Sequence, residues 1–347
     1  MNRYKYALVD MSYILVRNLK AISAGKQIGE YNEGEVLRIT IQTIKKIVRD
    51  YGITADKYIF IYDKWDKEIN GYYRTYCLKD FVAYKGSRVY VNEAYVRKLE
   101  QELAAIDSSN QAEIEKKKKE IEAAKKEAYE NQIKFNAKTA MINDFPNIGF
   151  PCFGLEGWEF DDLAWLSTCL LFEEPDNRAS IIITKDSDLQ YSLSPRMDYF
   201  KLPTAKSTPK IITYDEMVKT IPPAISSRGV NLYNYKAYLD SLGTGHNDMK
   251  PTVTSKNSID DIILHILDGD YSDVNKDQFL AQFNSFDLHK FPRLDQAVNI
   301  INNNYKSYGH LGDLNQFHEF CQKYKINSIS DKYYQELIQG FNPLLFS

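Results

Sequence analysis

The sequence predicts an α/β protein: a central, mostly parallel sheet flanked by helices, with an inserted helical arch or hairpin and a helical C-terminal region. Three observations carry this. Short β-branched runs recur, each ending in an acid; an amphipathic stretch lies between the first two; and a long Lys/Glu/Ala-rich segment without Pro or Gly interrupts the pattern. Strand, helix, strand in that order implies parallel pairing with helices on the sheet faces.

The elements follow in chain order. Residues 5–10 (KYALVD) and 58–63 (YIFIYD) have strand length and strand composition, and residues 180–186 (SIIITKD) repeat the pattern. Between the first two, residues 33–50 place Val36, Ile39, Ile41, Ile44 and Ile47 on about one face of a helix. Residues 159–173 read as a helix leading into the third strand, and two weaker strands are expected at 197–202 and 210–215. In residues 92–140, Val96, Leu99, Leu103 and Ile106 recur at helical spacing, IDSSNQ breaks the run, and Ile114, Ile121 and Ala128 resume it. Two helices folded back on each other are expected there. The organisation is then an α/β core of residues 1–91 and 141–228, the 92–140 hairpin, and a mostly helical region over 229–347.

Composition excludes several classes. The 347 residues carry 44 Lys+Arg against 47 Asp+Glu, a formal charge of −3, with 44% hydrophobic and 26% charged residues. That is a globular balance, not a disordered one. No segment approaches ~18 consecutive apolar residues and the first residues lack a signal-peptide apolar region, so no membrane association is expected. A mean hydropathy of −0.46 and four scattered cysteines (Cys77, Cys152, Cys169, Cys321) fit a protein of a reducing compartment, without zinc-knuckle spacing. No P-loop, Rossmann glycine motif, Ser nucleophile elbow or H-E-x-x-H is present, and Asp10 is followed by Met11-Ser12 rather than by the D-x-D of haloacid-dehalogenase-type phosphatases.

The acids are the informative feature. Asp10, Asp63 and Asp186 each close an expected strand, Asp188 follows Asp186, and Glu159-Phe160-Asp161-Asp162 opens a helix. In open parallel sheets the carboxyl ends of the strands form the ligand-binding edge. Singly, each Asp there is most often a turn former or helix cap. Jointly they would crowd like charges, and two unit charges about 4 Å apart repel by roughly 4 kcal/mol at an effective dielectric of 20. Hard divalent cations with oxygen ligands relieve that repulsion, and a pair of them suits phosphoester displacement.

In this order, LVDMSYILVRN, YIFIYD, AYKGSR, GWEFDDLAW, IIITKDSDLQ and YKAYLDSLGTGHNDMKP resemble the 5′-nuclease superfamily over residues 5–255, above all the bacteriophage 5′→3′ exonucleases, flap endonucleases and phage ribonuclease H type, with their PIN-like core. Glu159-Phe160-Asp161-Asp162 matches the family's E-A-D-D, Thr184-Lys185-Asp186-Ser187-Asp188 its T-x-D-x-D, and Tyr84-Lys85-Gly86-Ser87-Arg88 its Y-K-x-x-R at the arch base. The resemblance implies two Mg²⁺ ions, for which Mn²⁺ would substitute. Asp10, Asp63, Glu159 and Asp161 would hold or orient the first; Asp186 and Asp188 would serve the second or bridge both, with Asp162 supporting. Lys236-Ala237 matches the pair that precedes the family's last acids, for which Asp248 fits one and Asp240 is the best substitute for the other, because the loop SLGTGHN is longer than usual. Lys85 and Arg88 would place positive charge at the scissile phosphate. Tyr13 and Tyr84 are candidates for base stacking, and Lys236, Lys250 and Lys256 for nucleic-acid contact. The glycine-rich hairpin that binds duplex DNA and often a monovalent cation in relatives is altered, since TVTSKNSIDDIILHIL has no G-x-G.

The implied activity is a structure-specific 5′ nuclease, exonuclease or flap endonuclease, acting on DNA or RNA-primer 5′ ends in phage-type replication or repair. A monomer is expected, in the cytoplasm of a phage-infected bacterium, near replication proteins such as a polymerase or a single-strand-binding protein. A PIN-like ribonuclease and a non-catalytic nucleic-acid-binding relative with a degenerate second metal site stay open.

Overall fold

The computed structural model describes residues 3–69, 71–74, 91–150, 152–172, 179–203, 208–243, 251–306 and 312–341. Tyr84, Lys85, Arg88, Asp248 and Lys250 lie outside them. Strand β1 (Arg3–Asp10) stands inside a six-stranded sheet of order β3-β2-β1-β4-β5-β6. β2 (Thr54–Ile61) and β4 (Ser180–Thr184) flank it in parallel, β3 (Cys152–Phe153) extends β2, β5 (Met197–Lys201) extends β4, and β6 (Lys210–Ile212) pairs antiparallel at the edge. This is the mostly parallel, helix-flanked sheet that the sequence predicts.

The pleat divides the interior in two. Ala7, Val9, Tyr58, Phe60, Ile181 and Ile183 face one core, whereas Leu8, Ile59, Ile61 and Ile182 face the other. Strands buried on both sides need continuous apolar runs, which is why IIIT and YIFI lack a polar alternation.

The first face is covered by α1 (Met11–Ser23) and α2 (Glu33–Lys45), the latter running into one π-turn, Lys46–Asp50. The sequence reading missed α1, because its apolar residues continue directly from β1 without a turn signal. Helices α3 (Glu93–Ala104) and α4 (Gln111–Asp144) pack together through Val96, Leu99, Ile121 and Ala124. Lys117 and Lys125 reach across to Glu102 and Glu100 at 2.9 and 2.8 Å. At ~1.5 Å per residue α4 is about 50 Å long, and its last third leaves the pair. There Ile133, Ala137, Ala140 and Met141 join the first core, so α4 continues past residue 140 into the body of the protein.

The second face takes α5 (Phe160–Phe172) and, after the short α6 (Tyr214–Val218) and α7 (Pro223–Ser226), the helices α8 (Leu232–Leu242), α9 (Ile259–Leu267), α10 (Lys276–Asn284) and α11 (Leu294–Lys306). The chain then returns to the first face. In α12 (Leu314–Lys323) and α13 (Asp331–Phe341), Phe317 stacks on Tyr334 at 4.0 Å, and the Tyr334 hydroxyl donates to the Ile148 carbonyl.

Candidate metal centre

Asp10 is the last residue of β1 and the N-cap of α1, and it is 6% exposed. Its Oδ1 accepts from the Tyr13 N–H at 2.8 Å and its Oδ2 from the Thr184 hydroxyl at 2.8 Å. The same hydroxyl accepts from the Asp186 N–H at 3.1 Å, which ties the ends of β1 and β4 together. Burial pushes the Asp10 carboxyl up to about 7; the charge of Asp63, and more weakly that of Asp186, adds to the rise, while the two hydrogen bonds oppose it.

Asp63 and Asp186 each lie two residues beyond their strands rather than closing them, since β2 ends at Ile61 and β4 at Thr184. Both still reach the carboxyl edge of the sheet. The Asp63 Oδ1 accepts from the Phe160 N–H at 2.7 Å, at the N-terminus of α5, where the helix dipole favours a negative charge. The Asp63 N–H donates to the Ser12 hydroxyl at 2.9 Å. Asp186 accepts from the Asp188 N–H at 3.0 Å and so caps the short 3-10 turn Ser187–Ser192. The bland role of these aspartates as caps is therefore real, and it also holds their carboxylates in place.

The acidic start of α5 splits in two directions. Glu159 is buried, and its N–H approaches the Asp162 Oδ2 at 3.4 Å. Asp162 is fully buried and forms an ion pair with Arg74, itself buried and packed over the Phe286 ring. Asp161 instead lines a small pocket with Arg74, Asp188, Ser192, Tyr233 and Lys236. Just before this segment, Gly157 has φ +82°, and a Cβ there would lie 2.6 Å from the Tyr73 ring, so glycine is needed for Tyr73 to pack against it.

Across the pocket, Lys236 of α8 points its ammonium at Asp188 (3.3 Å) and at Asp240, one helical turn on. The three side chains are only 14%, 21% and 13% exposed. Burial alone would lower the Lys236 pKa, but the attraction of Asp240 and Asp188 outweighs it and the net shift is upward. Tyr13 is half-buried on α1 and Lys256 is exposed in the loop before α9.

Two contributors were not singled out from the sequence, Arg74 and Lys138, and Thr184 entered only as the first residue of its motif. Lys138, on the last third of α4, donates its Nζ to the Asp63 carbonyl and lies over the Tyr62 ring. Burial pulls its pKa down, and the nearby Asp63 charge opposes the shift. The one signal available for it was the change on α4 from a spaced apolar seam to close small residues, Ala137 and Ala140, which lets the helix approach the sheet.

Among the described residues no three acidic, His or Cys side chains converge into a closed ligand group. The acids form two subsets instead, Asp10 with Asp63 and Asp186, and Asp188 with Asp240. Their donors are all carboxylate oxygens, the set that hard cations such as Mg²⁺ and Mn²⁺ take. The donor chemistry, though not a closed ligand group among the described residues, is that of a hard divalent ion, and the charges of Asp63 and Asp186 add to the upward shift that burial gives Asp10.

An α/β sheet with carboxylates gathered at its C-terminal edge is thus the class that fold and site define. No protein-family model and no curated protein matches the chain. Solved structures do. Flap endonuclease-1 from Methanococcus jannaschii is 14% identical, the match covering 99% of this chain and 93% of that one with a TM-score of 0.49. The bacteriophage T5 5′-exonuclease with bound zinc is 15% identical over 97% of this chain and 98% of its own, with a TM-score of 0.42. The catalytic core of Rad2 in complex with a DNA substrate is 13% identical over 99% and 92%, with a TM-score of 0.41. Among the described residues no helix is long and apolar enough to cross a membrane.

Proposed function

We propose that the protein is a Mg²⁺-dependent 5′ nuclease that hydrolyses phosphodiesters at 5′ ends or flaps of DNA, RNA-primed strands included, in phage-type replication or repair. The observation that carries this reading is Asp10, a carboxyl buried at the sheet edge and burdened by the charges of Asp63 and Asp186. Such a group serves little purpose in packing and a clear one as a cation ligand.

Asp10, Asp63, Glu159 and Asp161 would hold the first ion, and Asp188, Asp240 and Asp248 the second, with Asp186 serving the second or bridging both and Asp162 in support through its pairing with Arg74. Bound there, Mg²⁺ supplies the Lewis-acid charge that in-line displacement at phosphorus needs. The chain's own groups position that charge. The Tyr13 N–H and Thr184 hydroxyl orient Asp10, and the Phe160 N–H orients Asp63. Lys85 and Arg88 bind the scissile phosphate, Arg in bidentate fashion. Tyr13 and Tyr84 stack on bases, and Lys250 and Lys256 bind duplex phosphates. The hairpin of α3 and α4 guides the single-stranded 5′ end.

Incubation with 5′-flap DNA tests the reading: cleavage is expected with Mg²⁺ or Mn²⁺ and none with EDTA. Absence of cleavage in any divalent metal overturns it, and preference for single-stranded RNA favours a PIN-like ribonuclease. Full cleavage by Asp186→Ala refutes the site assignment. Deleting residues 100–130 is expected to cost activity on flaps more than on short duplex ends, and equal losses would sink the guiding role. One observation favours a second reading, a non-catalytic DNA-binding relative: an ammonium group already sits on Asp188 and Asp240. That protein would retain flap DNA without cutting it.

A further inference from the structure

We propose that Lys236 is a built-in counter-ion that occupies the Asp188–Asp240 pair in competition with the second divalent cation. The inference rests on the metal-dependent reading above and goes beyond it, by making the second cation's occupancy a property of a lysine in this chain.

The argument starts from α8. Lys236 and Asp240 are four residues apart on one helix face, so they meet whatever the rest of the site does. Asp188 comes from a different part of the fold, the 3-10 turn after β4, and is brought to the same Nζ at 3.3 Å. One ammonium therefore joins two carboxylates from two elements. All three side chains are mostly shielded from water, where an ion pair is screened far less than on a surface. The carboxylates need a cation there, because removing one partner of a shielded pair leaves the other uncompensated.

A divalent ion held by the same two carboxylates would meet the ammonium at close range, and like charges repel. Lys236 must then leave as the ion enters. Its flexible four-carbon stem permits such a swing, and the charge of nearby Arg74 already opposes the ammonium's place there. At Asp10 the arrangement differs. Its oxygens accept from neutral donors, the Tyr13 N–H and the Thr184 hydroxyl, and neither donor competes with a cation by charge. The two halves of the site consequently fill at different ion concentrations, the Asp10 half first.

Calorimetric titration of the full chain with Mn²⁺, after removal of metal by EDTA and dialysis, tests this. The native chain is expected to show two binding events, the second weaker. In Lys236→Met the second event tightens ten-fold or more, while Lys236→Arg, which keeps the charge, stays close to the native value. Without metal, Lys236→Met melts at a lower temperature than the native chain, and Mn²⁺ raises its melting temperature by more. A folded Lys236→Met whose second affinity is unchanged or weaker overturns the counter-ion role. Failure of the native chain to bind Mn²⁺ saturably overturns the metal-dependent reading itself. Should Lys236→Met not fold, Lys236→Gln replaces it and faces the same criterion.

Discussion

The two halves of the acidic edge handle the same difficulty in opposite ways. Around Asp10 the carboxylates are restrained by neutral hydrogen-bond donors and a helix N-terminus, and burial, with the charges of Asp63 and Asp186 added, pushes the Asp10 carboxyl up to about 7. Around Asp188 and Asp240 a lysine absorbs the repulsion. Neutral donors fix the geometry of Asp10 without balancing its charge, and the Lys138 ammonium near Asp63 offsets only part of it, so that half gains from a divalent ion. A lysine balances charge but must be displaced. A site built this way is poised at one end and guarded at the other.

The largest expected effect separates the halves directly. Asp63→Ala, or Asp10→Ala, should lower Mg²⁺-dependent flap cleavage on the order of 10³-fold, a loss comparable to removing a main electrostatic stabiliser. Steady-state cleavage assays check it, and a loss smaller than that from Asp240→Ala would reverse the ranking. Next comes Arg74→Met. It strips the partner from Asp162, whose side chain is fully buried, and should cost about 3–5 kcal/mol of stability in urea unfolding. The double variant Arg74→Met/Asp162→Leu should recover most of that.

A pH series in EDTA sharpens the contrast further. When folded, Asp10 releases its proton near pH 7; when unfolded, near its ordinary 3.8. The native state is the better proton binder in between, so stability should fall as pH rises from about 4 to about 7, on the order of 1 kcal/mol per pH unit at most. Asp10→Asn should flatten that slope, and saturating Mg²⁺ should do the same for the native chain. The smallest effect is expected from Lys138→Met. Losing its bond to the Asp63 carbonyl should cost about 1–2 kcal/mol and reduce flap cleavage several-fold, with short duplex ends less affected. Equal losses on both substrates would show that the contact serves the sheet edge alone.

What could be read from the sequence follows from which interactions are local. The strand ends were legible because IIIT and YIFI are buried on both faces and so must be continuous, and the acids after them stand out against that background. The Glu159–Asp162 segment was legible because a helix start concentrates acids. Arg74 was not, since its partner is 88 residues away and no periodicity marks it. Lys236 was read as a candidate for nucleic-acid contact. Only the placement of α8 against the turn after β4 brings it to Asp188. The two-residue β3 is too short for any pattern, and the return of α12 and α13 to the first face depends on packing between segments some 300 residues apart along the chain.

That return has a consequence for how the protein is made. The core beneath α1 and α2 includes Phe317, Phe320 and Leu337, so the earliest part of the chain to be synthesised cannot finish burying its own apolar surface until the last helices exist. Among the described residues, the layer under α5 draws on none beyond α11. During synthesis at ~5–20 residues per second, the side of the sheet beneath α1 and α2 waits, exposed, until α12 and α13 have emerged.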